Sequence, residues 1–264
     1  MYKDKVIWIT GASSGIGLEL TKQLADLGAR IVLSARRRDV LEDIVSQLPG
    51  GASRHWVAPL DLAAVDKLIP AAEAYLKEIG PVDVLINNGG ISQRSLFLDT
   101  DFDVYRRLMD VNYLATVALS KAVLPAMVAR RSGLIVSISS VAGKIGSKLR
   151  TGYSGSKYAV VGFMDCLRAE LAEHNIACLT VCPGSIQTNI AINALNAEGE
   201  AQQKNDDSII NGMPVEQCVE QIIKAMSKGK DEVVIGRGIS GMAPTIKRFF
   251  PRLYTKLAAK MEYR

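Results

Sequence analysis

The sequence is thin in the residue types that build metal centres and covalent frameworks. Its two histidines, His55 and His174, have no second His or Cys at ligand spacing, so no metal site and no histidine chemistry is expected. Four cysteines, Cys166, Cys178, Cys182 and Cys218, form no C-x-x-C pair, and two of them lie in the apolar run "IACLTVC". Buried free thiols in a reducing compartment are expected, which points to the cytoplasm. No stretch approaches 18 uncharged apolar residues, and "MYKDKVIWIT" has no apolar run of signal-peptide length before its first charges. Neither a transmembrane helix nor a secretory leader is therefore expected. Repeats, low-complexity tracts and Pro/Gly/Ser linkers are absent too.

Charge is nearly balanced over most of the chain. The net charge is +5, but residues 237–264 hold seven Lys/Arg and one acid, a local +6 that leaves −1 for the other 236 residues. A basic footprint spread over the body is excluded, and no nucleic-acid partner is expected.

What remains is a sequence of 264 residues, 48% hydrophobic and 22% charged, enough for one large α/β domain. Seven short runs rich in Val and Ile read as strands: "KVIWIT", "RIVLSA", "HWVAPLD", "VDVLINN", "GLIVSIS", "IACLTVC" and "DEVVIG". They are continuous rather than alternating, as in a sheet covered on both faces. Six amphipathic stretches of helix length separate them, beginning near residues 15, 38, 63, 102, 151 and 215. The alternation predicts a Rossmann-type, doubly wound α/β fold: a seven-stranded parallel sheet with helices on both faces. Residues 1–236 form a single expected domain. Segment 184–213 fits no element and is expected to be a substrate lid. Residues 237–264 follow the last strand as a basic tail. There Arg248, Arg252, Lys256 and Lys260 recur every four residues, one step ahead of Phe249, Leu253, Leu257 and Met261. Pro251 is expected to mark a break or a helix start. One reading packs this apolar stripe on the body or a partner subunit. The other attaches it peripherally to an anionic membrane.

Two local patterns carry chemistry. The first strand runs into "TGASSGIG", residues 10–17, and then a helix. Gly11 permits the tight turn, Gly15 and Gly17 allow close backbone approach, and the helix N-terminus offers N–H groups to a phosphate. Further on, "YSGSK" places Tyr153 and Lys157 four apart, on one face of a helix. A free phenol titrates near pH 10, too high for ready base catalysis. A cation about 5 Å away, at an effective dielectric near 20, favours the phenolate by roughly 3 kcal/mol. The small residues between the two are expected to leave this helix face open to a flat cofactor.

Together these motifs resemble the short-chain dehydrogenase/reductase family over residues 1–236, and they arrive in the family's order. "TGASSGIG" looks like its cofactor loop, with Gly11, Ser13, Ser14, Gly15, Ile16 and Gly17 as contacts. "LDL" at 60–62 resembles the adenine-holding segment, with Asp61 and Leu62. "NNGG" at 87–90 resembles the family's N-N-A-G, giving Asn88, Gly89 and Gly90; Gly89 departs from the usual Ala and is expected to loosen that turn. "VNYLATV" carries Asn112, and "SISSVAG" carries Ser140, thirteen residues before Tyr153. "CPGSIQT" resembles the segment that touches the nicotinamide, with Pro183, Gly184, Ile186 and Thr188. The stretch "NNGGISQRSL" looks like the steroid- and retinoid-type branch.

The resemblance implies a catalytic set of Asn112, Ser140, Tyr153 and Lys157. Tyr153 would act as acid/base, and Lys157 would support it and hold the nicotinamide ribose. Ser140 would hold the substrate oxygen, and Asn112 would anchor a proton-relay water. It also implies a homodimer or homotetramer. NAD-specific folds place an acid at the end of strand two. Here Ala35 is followed by Arg36, Arg37 and Arg38, and cations at a helix start suit an anion, so NADP(H) is expected with Arg36 and Arg37 on its 2′-phosphate. The expected activity is NADP(H)-dependent interconversion of a carbonyl and an alcohol on a small, mainly apolar substrate. A 3-oxoacyl-thioester (acyl carrier protein) reductase and a non-catalytic NADP(H)-sensing module are the alternatives.

Overall fold

The structure is a computed structural model that describes residues 2–204 and 206–260, apart from the side chains of Ser208 and Ile239. Seven strands pair in parallel in the order β3-β2-β1-β4-β5-β6-β7. They are β1 (Val6–Thr10), β2 (Arg30–Ser34), β3 (Trp56–Val57), β4 (Val84–Asn87), β5 (Gly133–Ile138), β6 (Ile176–Pro183) and β7 (Glu232–Ile235). All five residues of β1 are buried, because successive side chains enter opposite layers. Ile7 and Ile9 join Leu20 and Leu24 of α1 (Gly15–Asp26), Leu41 and Ile44 of α2 (Arg38–Gln47), and Val219 and Ile222 of α8 (Val215–Ser227). Trp8 turns the other way, towards Leu68 of α3 (Val65–Ile79), Leu119 and Val123 of α5 (Ala115–Arg130), and Val160 and Met164 of α6 (Thr151–Leu171). The expected doubly wound architecture is present.

Before the tail, three details differ from the sequence reading. The run "HWVAPLD" gives only the two-residue β3, although Ala58 N and Leu60 N still donate to the Leu33 and Ala35 carbonyls, with Pro59 between them at a position of this edge strand that has no donor to offer. His55 beside it is structural: its Nδ1 accepts from Ile31 N at 3.1 Å, and its Nε2 lies 3.0 Å from the Pro49 carbonyl. Cys166 is exposed, so only Cys178, Cys182 and Cys218 are the buried thiols expected.

The third difference concerns membranes. Residues 102–130 are continuously helical, through α4 (Phe102–Met109), a π turn at Asp110–Leu114 and α5. Over 29 residues this stretch is long and apolar enough to cross a membrane by length and composition, with hydropathy 1.4. Asn112, Ser120 and Lys121 interrupt its apolar run, which hid it from the sequence reading. Half of the apolar window is buried, against α3 and the sheet among other neighbours, which is how the core helix of a globular fold behaves.

Segment 184–213 is irregular apart from α7 (Asp207–Ile210), and isolated bridges such as Gln93↔Leu195 and Ile186↔Met213 tie it to its surroundings. The tail forms α9 (Gly238–Phe249) and α10 (Pro251–Lys260), with Pro251 opening the second helix. Lys247 Nζ donates to the Lys144 carbonyl at 3.0 Å and Tyr254 Oη to that of Gly146 at 2.6 Å, so both helices are fastened to the body. The apolar stripe is not what fastens them. Phe249, Phe250, Leu253 and Leu257 are 46–67% exposed, which corrects the expectation that the stripe packs on the body. Met261 lies outside the described residues.

Candidate active site

Strand order reverses between β1 and β4, and the crevice at the carboxyl ends of such strands is where doubly wound sheets take ligands. A cavity of about 220 Å³ opens there. The turn after β1 contributes Gly11, Ser14, Gly15 and Ile16, and the turn after β4 contributes Asn88, Gly89 and Gly90. Ser140 follows β5, and Pro183, Gly184, Ile186 and Thr188 come from β6 and the chain beyond it. Tyr153 and Lys157 reach in from α6. Five separate segments of sequence thus meet at one edge of the sheet.

The glycine turn is closed against its neighbours. Gly11 has φ +65°, and a Cβ there would lie 2.8 Å from Asn88 Nδ2. A Cβ on Gly17 would lie 2.2 Å from the Gly11 carbonyl oxygen, so α1 meets this turn backbone to backbone. Ser14, the N-cap of α1, makes no side-chain capping bond, which leaves first-turn N–H groups facing the cavity mouth. Thr10 Oγ1 accepts from Asn88 N at 3.0 Å and Gly89 N at 2.9 Å, and Asn88 Nδ2 donates to Thr10 O at 2.9 Å. These bonds lock the two turns together. Gly89 is not loose, as the sequence suggested: a Cβ there would meet Leu62 Cδ1 at 2.4 Å, so the Leu62 side chain fills the space that Ala would occupy. Smooth glycine walls, free helix N–H groups and a cleft between two turns fit a dinucleotide pyrophosphate.

The residues of the expected catalytic set sit further in. Tyr153 is buried, and Lys157 Nζ stands 6.0 Å from its ring centre, as a shared helix face requires. Lys157 Nζ donates to the Ile138 carbonyl at 2.9 Å. Burial pulls the Lys157 ammonium down from 10.5 to about 8, with Cys182 opposing weakly. Ser140 Oγ donates to the Pro183 carbonyl at 3.3 Å and accepts from Ala142 N at 3.0 Å, which fixes its position at the start of a short turn. Asn112 lies in the π turn. Its Oδ1 accepts from Ile91 N at 2.8 Å, and its Nδ2 donates to Ile91 O at 3.0 Å and Ser156 Oγ at 2.9 Å. The carboxamide therefore clamps the Gly90–Ile91 backbone beside Lys157.

The residues between Tyr153 and Lys157 do not face this cavity. Gly155 points to open solvent, and Ser156 Oγ bonds back to Tyr153 O at 2.9 Å while it accepts from Asn112. At about 100° per residue, positions between i and i+4 leave the shared face, so the expected open surface is not made there.

At the outer end, Arg36 and Arg37 are exposed, and among the described residues their side chains have no hydrogen bond or ion pair, while Arg38 pairs with Glu42 at 3.5 Å. Asp61 is exposed too; its Oδ1 accepts from Ala63 N at 3.1 Å. Ser13, Gly17, Leu62 and Asn112 do not line the cavity; the last three support it from behind, through Gly11, Gly89 and Ile91.

Sequence reasoning missed Gln93. Fully buried, its Oε1 accepts from Gly152 N at 2.8 Å and Tyr153 N at 3.2 Å, satisfying first-turn donors of α6 and setting the height of the Tyr153 helix. It also missed Arg94 and Arg150, which share Asp206 Oδ2 at 3.1 and 3.2 Å and join the β4 loop, the start of α6 and segment 184–213. Burial lowers the Arg94 guanidinium, with Arg150 acting in the same direction and Asp206 opposing.

A family model described as short chain dehydrogenase matches residues 5–199. The sequence is 39% identical to dehydrogenase/reductase SDR family member 7B of Bos taurus over 263 residues, covering 97% of this chain and 81% of that one. It is 44% identical to dehydrogenase/reductase SDR family member 7 of Homo sapiens over 237 residues, 88% of this chain and 70% of that one. Among solved structures, a short chain dehydrogenase from Burkholderia cenocepacia in complex with NADP matches with a TM-score of 0.79 at 25% identity, over 97% of this chain and 98% of that one.

Proposed function

The chain belongs to the short-chain dehydrogenase/reductase family, in its steroid- and retinoid-type branch, and on that premise we propose that this oxidoreductase interconverts a carbonyl and an alcohol with NADP(H). The observation that carries the reading is that Ser140, Tyr153 and Lys157 line the same cavity as the glycine turn, so a reacting carbon can meet a proton donor and a hydride donor together. When bound, the nicotinamide supplies the hydride for reduction and accepts it for oxidation. Ser140 turns its single proton from the Pro183 carbonyl to the substrate oxygen and stabilises the charge that grows there. In reduction the C=O π bond breaks as a C–H and an O–H bond form. Tyr153 supplies the proton and regains one from solvent. Lys157, held by the Ile138 carbonyl, favours the phenolate left behind and offers its ammonium to the cofactor ribose. Asn112 acts by positioning: it holds the Gly90–Ile91 backbone against Lys157. Its side chain is committed there, so the expected relay water would have to rest on its main-chain carbonyl.

The unpaired Arg36 and Arg37 support NADP(H) over NAD(H), since a 2′-phosphate supplies the anion that two exposed guanidiniums at a helix start lack. The NADP bound by the Burkholderia cenocepacia relative supports the same class. Segment 184–213 serves as the substrate lid, latched by Asp206. The exposed stripe of α9 and α10, beside Arg248, Arg252, Lys256 and Lys260, supports peripheral attachment to an anionic membrane.

NADPH oxidation measured against a panel of aldehydes and ketones tests the reaction. Turnover that stops in Tyr153→Phe is expected. Tight NADPH binding with no turnover on any carbonyl would favour a sensor instead.

A further inference from the structure

Tyr153 is only the third residue of α6, and the first residues of a helix have no N–H bond to an earlier turn that would fix their height. Lys157 lies a full turn further in and is anchored by the Ile138 carbonyl, while Ser140 is fixed by Pro183 and Ala142. Of these three groups, Tyr153 is the one that stands on a helix end. The outside hold comes from Gln93, in the loop after β4. Its Oε1 accepts from Gly152 N at 2.8 Å and Tyr153 N at 3.2 Å. Its Nε2 donates to Ser95 Oγ at 3.1 Å and Thr100 Oγ1 at 3.2 Å, which fixes the way the amide faces. The backbone on either side is pinned to segment 184–213: Leu195 N donates to Ser92 O at 2.9 Å, and Arg94 N donates to Leu195 O at 2.8 Å. Gly152 keeps the approach open, since a Cβ there would lie 3.0 Å from Gln93 Oε1. Gln93 lines neither the first cavity nor the second one, of about 540 Å³, that adjoins it beneath α9 and α10.

We propose that Gln93 is a positioning residue for the reaction: it caps α6 from another loop and so sets the place of the Tyr153 hydroxyl relative to an oxygen held by Ser140. The proposal rests on the carbonyl-reducing reading above. Two features favour it over a cap that serves the helix alone. An ordinary cap would come from residue 150 itself, as Ser, Asp or Asn, but that position holds Arg150, which makes no side-chain capping bond and donates to Asp206 instead. The cap is supplied from 59 residues away, by the loop whose Asn88, Gly89 and Gly90 wall the cofactor cleft. Proton donor, cofactor wall and Leu195 thus keep one register through a single fully buried amide. Both of its polar atoms are used twice, so it has no second orientation with equal bonding. Such a hold matters because a reacting group displaced by about 1 Å can cost a hundredfold in rate.

The test compares ketone reduction and NADPH binding in two variants. Gln93→Met keeps the volume and loses both polar atoms; kcat is expected to fall about tenfold or more, with the NADPH Kd within about twofold of native. Gln93→Glu keeps an acceptor for both N–H groups and is expected to bring kcat back to within about threefold of native. A native kcat in Gln93→Met overturns the proposal. So does a loss of NADPH affinity that matches the loss of kcat, or a Gln93→Glu variant as slow as Gln93→Met, since either marks a residue that only keeps the fold. Should Gln93→Met fail to fold, Ser95→Ala with Thr100→Val removes the acceptors that orient the amide. That pair is expected to lower kcat about threefold or more at unchanged NADPH affinity, and a native kcat there overturns the proposal. If the native enzyme reduces no ketone, amide hydrogen exchange decides. Exchange at Gly152 and Tyr153 about tenfold faster in Gln93→Met, with residues 160–171 unchanged, keeps Gln93 as the holder of Tyr153 while the reaction is abandoned. Unchanged exchange overturns the hold as well.

Discussion

The carboxyl edge of the sheet and the helical cover at the C-terminus border the same pair of cavities, yet they are built on opposite terms. At the edge almost every contact is between backbones, or from a short polar side chain to a backbone: Gly17 on Gly11, Asn88 on Thr10, Asn112 on Ile91, Gln93 on the first turn of α6. One added methyl group there has nowhere to go. In the cover, α10 buries none of its residues and reaches the body through the Tyr254 bond to the Gly146 carbonyl, while α9 is held by Lys247 and the buried Ala243. Rigid placement of reacting groups needs the first arrangement. A surface that admits and releases bulky molecules is better served by the second.

The contrast is broken most sharply at Tyr153. Tyr153→Phe is expected to cut kcat about a thousandfold, the scale of a lost general acid, while NADPH affinity measured by titration stays within a few-fold. A kcat within tenfold of the native enzyme would remove Tyr153 from its role.

Lys157 gives the next effect, of the opposite sign to intuition. Its ammonium is buried and titrates at about 8 in the folded protein against 10.5 ordinarily. Between those values the unfolded chain holds a proton that the folded chain has shed, so stability rises with pH across the window and the whole penalty stands at pH 7. The shift corresponds to ~3 kcal/mol at most. Lys157→Met should therefore resist denaturant better than the native protein at pH 7, by up to that amount, with the gap closing towards pH 10.5. It should also lose activity and cofactor affinity. Denaturant titrations at pH 7 and 10 check the sign; a less stable variant at pH 7 would show that the hydrogen bond to Ile138 outweighs the burial.

Arg36→Asp tests the rim of the rigid edge. Roughly tenfold or more of the NADPH-to-NADH affinity ratio should be lost, as for one charge-assisted contact to phosphate. An unchanged ratio would put cofactor choice elsewhere. The smallest stability effect belongs to the cover: Phe249→Ser with Leu253→Ser should move denaturation by no more than ~0.5 kcal/mol, because both side chains are exposed. The same pair should weaken cosedimentation with anionic vesicles, as should added salt. Vesicle binding that is absent in the native protein at low salt would assign the stripe to another partner, a second copy included.

The same contrast explains what could be read in advance. The edge is encoded locally. A tight turn needs glycine at fixed offsets, and a shared helix face needs a spacing of four, so Gly11, Gly17, Tyr153 and Lys157 were legible one motif at a time. Strand number followed from apolar runs for the same reason, and only β3 fell short of its run, at two residues. Gln93 left no trace, because a single buried amide in a loop follows no period and its partners lie some 60 residues away. The tight fit of Gly89 against Leu62 was hidden likewise, since it depends on a side chain from another loop. In the cover, periodicity revealed two stripes on a helix but carried no information about which stripe would meet the body.

The π turn at Asp110–Leu114 has a consequence for the phase of the helix it interrupts. Before it, Val104 and Leu108 pack with Tyr153, Ala142 and Leu195; after it, Ala115, Leu119 and Val123 pack with Trp8, Leu68 and Val160. One continuous rod thus serves two cores that lie at different azimuths, and the wider turn is the gearing between them. Removing a single residue there would rotate everything downstream by about 100°. The walls of the candidate site and the hydrophobic layer under the sheet could no longer both be satisfied by the same helix, so insertions and deletions at this point are excluded far more strictly than substitutions.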